Sequence, residues 1–335
     1  MALTPTVQTE AGRSGERRPW LVRLFRALTM PYRTSHGAAR VMLVIGTVMV
    51  GIVVFLALFA DLVAPYGFAQ KTDGGAEFGK HEPPSAEHPF GTNVMFLDVL
   101  SRVIWGARTE ITVVVLSLLF SVILGVLLGL VSGFVGGWVD RVLVLVMDAL
   151  FAFPYLLLAI VVSFLLAERI PSGIATAAFA ITVIYIPQYF RVVRNGAMSA
   201  KEATYVEAAR AIGAGPVSIM SRYLFPNVVQ SVPVIATLNA ADAILTLAGL
   251  GFLGLGIQPT DAAEWGYDLN RAIADASSGI WWTALFPGLA IVWLVVGLTL
   301  IGEGLNETLN PTLRVRRLLP VVFDDRKRTE GEKHE

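Results

Sequence analysis

Apolar residues in this chain gather into six runs, at 41–60, 111–135, 142–166, 174–190, 228–255 and 280–302, with polar stretches between them. Runs of about 20 apolar residues are too long for an ordinary core helix and long enough to cross a bilayer. The pattern predicts an all-α polytopic membrane protein of six spanning helices. The fourth run is the shortest and ends in Ile186-Pro187-Gln188-Tyr189-Phe190, so its helix either stands with little tilt or continues inward under a proline kink. Pro154 is expected to kink the third. The mostly polar residues 1–40 precede the first run and five further runs follow it, which is not the layout of a cleavable leader.

Smaller patterns refine this picture. Gly125, Gly129, Gly133 and Gly137 recur at a four-residue spacing, which stacks them on one helix face and predicts the close approach of another helix. Residues 98–109 alternate apolar and charged positions with a helical period. They are expected to lie along the outer interface, with Arg102 and Arg108 reaching lipid headgroups. Trp265, Trp281 and Trp282 read as an interfacial aromatic belt.

Composition narrows the function. Hydrophobic residues make up 55% of the 335 and charged residues 16%, against about 25% charged in an ordinary soluble domain. The 26 basic and 26 acidic residues cancel, so no basic excess exists to hold nucleic acid. With no cysteine at all, disulfides, thiolate metal sites and thiol catalysis are excluded together. Only four histidines occur, and no Ser/His/Asp or H-E-x-x-H arrangement is present, so neither catalysis nor a cofactor is expected of this chain. His81 and His88 share a loop with Glu77, Glu82 and Glu87, but their spacing is not that of a recognised metal site, and a solvated loop accounts for them. Residues 74–80 match G-x-x-x-x-G-K, yet His81 stands where a phosphate-binding loop needs Ser or Thr. No motor is expected in the chain itself.

Charge also gives an orientation, because Lys and Arg near spans are retained on the cytoplasmic side. With the N-terminus inside, inner segments hold 20 basic residues and outer ones 6, namely Lys71, Lys80, Arg102, Arg108, Arg169 and Arg271. Both termini are therefore expected in the cytoplasm. The expected organisation is a cytoplasmic tail over 1–40, a six-helix membrane domain over 41–303 with an outer loop at 65–110 and a cytoplasmic loop at 191–227, and a second cytoplasmic tail over 304–335.

The loop at 191–227 is too long to be a mere connection. Residues 201–212 are strong helix formers, with Tyr205, Ala208, Ala209 and Ile212 expected on one face. Gly213 ends that helix, Gly215-Pro216 turns the chain, and a second short helix carrying Ile219, Tyr223 and Leu224 runs to Pro226. Glu207-Ala208-Ala209, then Gly213, then Tyr223-Leu224-Phe225-Pro226 resembles the E-A-A, three residues, G, nine residues, I-x-L-P signature of inner-membrane permease subunits of binding-protein-dependent ABC importers, with the proline kept and both apolar positions substituted. Further stretches are similar to the second permease of the dipeptide, oligopeptide and nickel branch. These include His88-Pro89-Phe90-Gly91-Thr92, Trp138-Val139-Asp140-Arg141, Asp148-Ala149-Leu150-Phe151-Ala152-Phe153-Pro154, and Gly251-Phe252-Leu253-Gly254-Leu255-Gly256 followed by Trp265-Gly266. Two departures stand out: the Gly-Arg pair usual after Gly91-Thr92 is missing, and Leu247 stands where a glutamate is frequent.

The resemblance implies a type I importer permease in a bacterial or archaeal inner membrane, non-catalytic, importing dipeptides or oligopeptides. Its implied partners are a second permease, cytoplasmic ATP-binding subunits, an extracytoplasmic solute-binding protein and membrane lipid. Glu207, Ala208, Ala209, Gly213 and Pro226 would couple it to the ATPase. Asn239 and Asp242 lie three residues apart in the fifth run, so on nearly one face. They are expected to line the translocation route, with Asp242 attracting a cationic group, unless that carboxyl is held protonated or paired within the bundle. The competing class is an autonomous ion-coupled secondary transporter, which would want repeated halves with broken helices and several ionisable residues at the midplane. Asp242 is the one good candidate for such a residue.

Overall fold

The first apolar run folds as α1 (Gly37–Leu58). The second forms the later part of α2 (Val99–Val135), started by Asp98, whose side chain accepts a hydrogen bond from the Ser101 N–H. At 37 residues α2 is about 55 Å long, nearly twice the hydrocarbon thickness, so its N-terminal turns stand outside the membrane. The computed structural model describes residues 29–167, 169–170 and 173–309, so most of the two expected tails lies outside the described residues.

The third run is two helices rather than one kinked span: α3 (Gly137–Ala152) and α4 (Tyr155–Ala167) meet at 101°. Phe153, the residue before Pro154, is extended, as the proline ring requires of its predecessor. The fourth run continues well past its apolar part as α5 (Gly173–Lys201) with Pro187 inside. A short helix α6 (Thr204–Ala211) follows. The chain then stays helical from Pro216 through a π-helical turn at Ile219–Leu224 into α7 (Val232–Phe252). After α8 (Trp265–Ser277) comes α9 (Trp282–Leu309). Among the described residues, five helical stretches are long and apolar enough to span, and the bent α3–α4 pair makes a sixth if it is counted as one broken span.

α2 runs against α5 more extensively than any other pair of helices packs. The glycine stripe explains why. A Cβ on Gly125 would lie 2.5 Å from Tyr189 Cβ, on Gly129 2.8 Å from Phe190 O, and on Gly133 2.7 Å from Arg194 O, so the α5 backbone occupies the space a side chain would need. Gly137, the expected fourth member, instead forms with Gly136 the turn into α3, at φ values of +63° and +67°. A second close approach joins α1 to α9, where a Cβ on Gly46 would lie 2.6 Å from Gly297 O.

Residues 98–109 do not lie along an interface. They are the first turns of α2, and Arg102 is 2% exposed, its Nε 2.8 Å from both oxygens of Asp268 in α8 and its Nη1 3.1 Å from Phe68 O. The alternation reads as interfacial because the carboxylate that neutralises Arg102 sits 166 positions away. Arg108 pairs with Asp61 and donates to Ala57 O. The aromatic belt is likewise corrected: Trp265 and Trp282 are buried and donate their indole N–H groups to Val103 O and Thr92 O, which leaves only Trp281 of the three exposed.

The loop before α2 leaves Glu77 and Glu87 in solvent, as expected, but draws its two histidines into the fold. His88 is buried with Nδ1 3.0 Å from Asp98 Oδ1, and His81 Nε2 lies 2.9 Å from Asp275 Oδ1 of α8. The stretch that mimics a phosphate loop is a hairpin of β1 (Thr72–Asp73) and β2 (Ala76–Glu77), turned by Gly74 and Gly75 at φ of +54° and +88°.

Candidate functional site

Three regions carry the chemistry. At the end opposite α8, the chain leaves α5 and forms α6. Val206 and Ala209 are buried there, while Tyr205, Glu207, Ala208, Arg210 and Ile212 face outward. The expected apolar face is thus turned: Ala209 is buried, but Tyr205, Ala208 and Ile212 are exposed. The helix ends in a Schellman motif. Gly213 at φ +85° donates to Arg210 O at 3.0 Å, and Ala214 donates to Ala209 O at 3.0 Å. Only glycine takes that backbone conformation without strain. Pro216 opens the next helical segment, where buried Ile219, Leu224 and Val228 tie it to the core, and Asn227 Nδ2 donates to the Tyr205 hydroxyl at 3.2 Å. Pro226 lies exposed just beyond the π-helical turn. The result is a short helix held rigidly against the bundle, whose outer surface shows Ile212 81% and Val217 73% exposed. A bare apolar surface of this kind, rimmed by Glu207 and Arg210, suits contact with another protein.

Deeper in the bundle, the break between α3 and α4 opens a cavity of about 370 Å³, within the size range of ligand pockets. Phe151, Phe153, Pro154 and Tyr155 come from the break, Tyr185 and Gln188 from α5, and Asp242 and Leu245 from α7. The structure separates the two residues expected to share a route: Asp242 is exposed to this cavity, whereas Asn239 is 1% exposed inside the protein. Tyr185 and the aromatic rings of the break escaped the sequence reading, because nothing in their spacing sets them apart from lipid-facing or core aromatics. Asp148, in the same break region, pairs with Arg191 at 2.7 Å.

At the α8 end, Glu264 caps α8 with both oxygens, accepting from Gly266 N and Tyr267 N at 2.7 Å each, and packs over Gly251 of α7. Glu110 of α2 lies beside it, and both carboxyls are fully buried. Burial pushes Glu264 up to about 7, against the help of its two backbone N–H donors. A carboxyl raised in this way stabilises the fold most below its usual value of 4.5, and that stability is lost as pH rises through about 7. The unfolding temperature of the detergent-solubilised protein is therefore expected to fall by several degrees across that window, and Glu264→Gln should flatten the dependence. An unchanged pH profile in that variant would assign the titration elsewhere.

Residues 125–315 match the family described as binding-protein-dependent transport system inner membrane component. The chain is 43% identical over 273 residues to the dipeptide transport system permease protein DppC of Escherichia coli (strain K12), covering 81% of this chain and 89% of that one. It is 39% identical over 263 residues to the glutathione transport system permease protein GsiD of Shigella flexneri serotype 5b (strain 8401), covering 78% and 84%.

Proposed function

Because the chain belongs to the family of binding-protein-dependent transport system inner membrane components, we propose that it forms half of the translocation pathway of an ATP-driven importer of dipeptides or short oligopeptides. A second permease completes the pore, ATP-binding subunits dock below it, and an extracytoplasmic solute-binding protein delivers cargo to the α8 end. The asymmetry of basic residues supports this orientation, with 20 on the side of α6 and both tails, in the cytoplasm, and 6 on the far side.

The observation that carries the reading is α6. It presents Glu207, Ala208 and exposed Ile212 from a helix closed by Gly213 and continued, through Pro216 and Pro226, into α7. A push on α6 is transmitted to α7 because buried Ile219, Leu224 and Val228 join the two into one packed unit. ATPase closure then moves this element as a lever and rocks the spans between inward- and outward-facing states. Ala209, buried under α6, acts as the small contact that lets the helix sit close to the bundle.

Co-purification with the ATP-binding subunits tests the proposal. Wild type should retain them, and Glu207→Lys or Gly213→Asp should lose them or hydrolyse ATP without uptake. Gly213→Asp also removes the residue that tolerates φ +85°, so Glu207→Lys, on an exposed position, is the cleaner arm. Normal coupling in both variants would end the lever reading.

A further inference from the structure

Asp242 lies midway along α7, ten residues from either end, where a carboxylate on a spanning helix costs about 2.5 to 3.5 kcal/mol to insert. Its neighbours Ala241, Ala243 and Ile244 are buried, but Asp242 itself opens onto the cavity at the α3–α4 break. Among the described residues no cationic side chain pairs with it. Arg191, which stacks on the cavity-lining Phe151, is committed elsewhere: its Nη2 lies 2.7 Å from Asp148 and its guanidinium 4.0 Å over the Phe151 ring. None of the cavity-lining residues is Lys, Arg or His, so Asp242 is the single formal charge facing the space. The remaining wall is rich in aromatic rings, Phe151, Phe153, Tyr155 and Tyr185, whose π faces attract cations.

We propose that this cavity is a cation-selective substrate subsite, in which Asp242 holds an ammonium or guanidinium group carried by the imported solute and the surrounding rings hold its apolar part. The proposal deepens the importer reading and rests on it for the identity of the solute. Charge complementarity fixes the class: an anionic group would meet an unpaired carboxylate, and a neutral one would leave that carboxylate without a counter-ion. Two sources of the cation share this chemistry, the amino terminus of a peptide and the side chain of a basic residue.

The absence of cysteine from the chain makes a direct probe available. Leu245→Cys places one thiol on the cavity wall beside Asp242. It is labelled in the detergent-solubilised protein with methanethiosulfonate reagents of similar size, one bearing trimethylammonium and one sulfonate. Each rate is divided by that reagent's rate with a small free thiol. The normalised rate is expected to favour the cation by about tenfold, which corresponds to about 1.4 kcal/mol, and adding Asp242→Asn should abolish the preference. Equal normalised rates, or a preference that survives Asp242→Asn, would overturn the proposal. Size-exclusion profiles of both variants confirm that they are folded.

Uptake by the complete importer then names the source of the cation. If the amino terminus is held, Asp242→Asn lowers uptake of dialanine and of alanyl-lysine alike. If a basic side chain is held, it lowers uptake of N-acetyl-alanyl-lysine and spares dialanine. Unchanged uptake of every peptide overturns the substrate role. Failure of the wild type to import any peptide with ATP would refute the importer reading instead, and the labelling result would stand apart from it.

Discussion

Gly129→Val in α2 is expected to abolish recovery of folded protein. A Cβ there would lie 2.8 Å from Phe190 O, 3.0 Å from Val193 Cβ and 3.1 Å from Arg194 N, so two of its three nearest neighbours are backbone atoms of α5 that cannot rotate away. Overpacking a tight site costs about 1–3 kcal/mol even where side chains can adjust, and here the whole helix must retreat. Retreat would open the contact between the two helices that pack most extensively, since Gly125 and Gly133 meet the same α5 backbone one turn to either side. The matched control is Gly51→Val in α1, where an added Cβ meets nothing within 4 Å. Its effect should stay within about 0.5 kcal/mol. Yield of monodisperse protein in mild detergent measures both. Equal yields from the two variants would show that the α2–α5 contact tolerates separation.

Arg102→Ala should be nearly as damaging, by a different route. The Arg102–Asp268 pair joins α2 to α8 with both side chains almost fully buried, at 2% and 6% exposure. Removing one partner of such a pair leaves a buried charge uncompensated and costs about 3–5 kcal/mol. The double variant Arg102→Met with Asp268→Leu removes both charges and fills the space with apolar volume, so most of that loss should return. The remainder reflects the Phe68 carbonyl, which loses its donor and is worth about 1 kcal/mol. Thermal unfolding in detergent separates the cases. A double variant no more stable than Arg102→Ala would mean that the pair holds α8 by directional hydrogen bonding and not by charge compensation.

The spans were legible because the bilayer selects long apolar runs, and the periodic stripe at Gly125, Gly129 and Gly133 announced its contact because helix geometry turns a four-residue spacing into a face. Gly46 and Gly297 make an equally close approach and announced nothing, since each stands alone in its helix and the pairing exists only in three dimensions. The same reasoning separates Gly213 from Glu264. Gly213 could be identified as a helix stop from its neighbours, and it is one. Glu264 has its meaning set by Glu110 and Gly251, which are distant in sequence, so nothing around it in the chain marks it out. α8 was missed for a related reason: a 13-residue helix with a polar face leaves no mark in a search for spans. Pro154 was visible, but the size of its effect was not. A proline can sit inside a continuous helix, as Pro187 does in α5 without ending it. At Pro154 the preceding Phe153 leaves the helical region altogether, and the bend becomes a break.

That break bears on how a membrane voltage would fall across the protein. A helix that stops at Ala152 frees the carbonyls of its last turn, and one that restarts at Tyr155 frees N–H groups of its first. Hydrocarbon offers such groups nothing, so non-helical backbone inside a membrane persists only where it is buried in protein or borders a water-filled space. If water fills the space beside Phe153, it brings a high dielectric into the bundle next to Asp242. In that case the field is concentrated across whatever dry layer remains. Moving one elementary charge across that layer is worth about 2.3 kcal/mol per 100 mV. A cation leaving Asp242 would therefore feel nearly the full potential over a fraction of the bilayer's thickness.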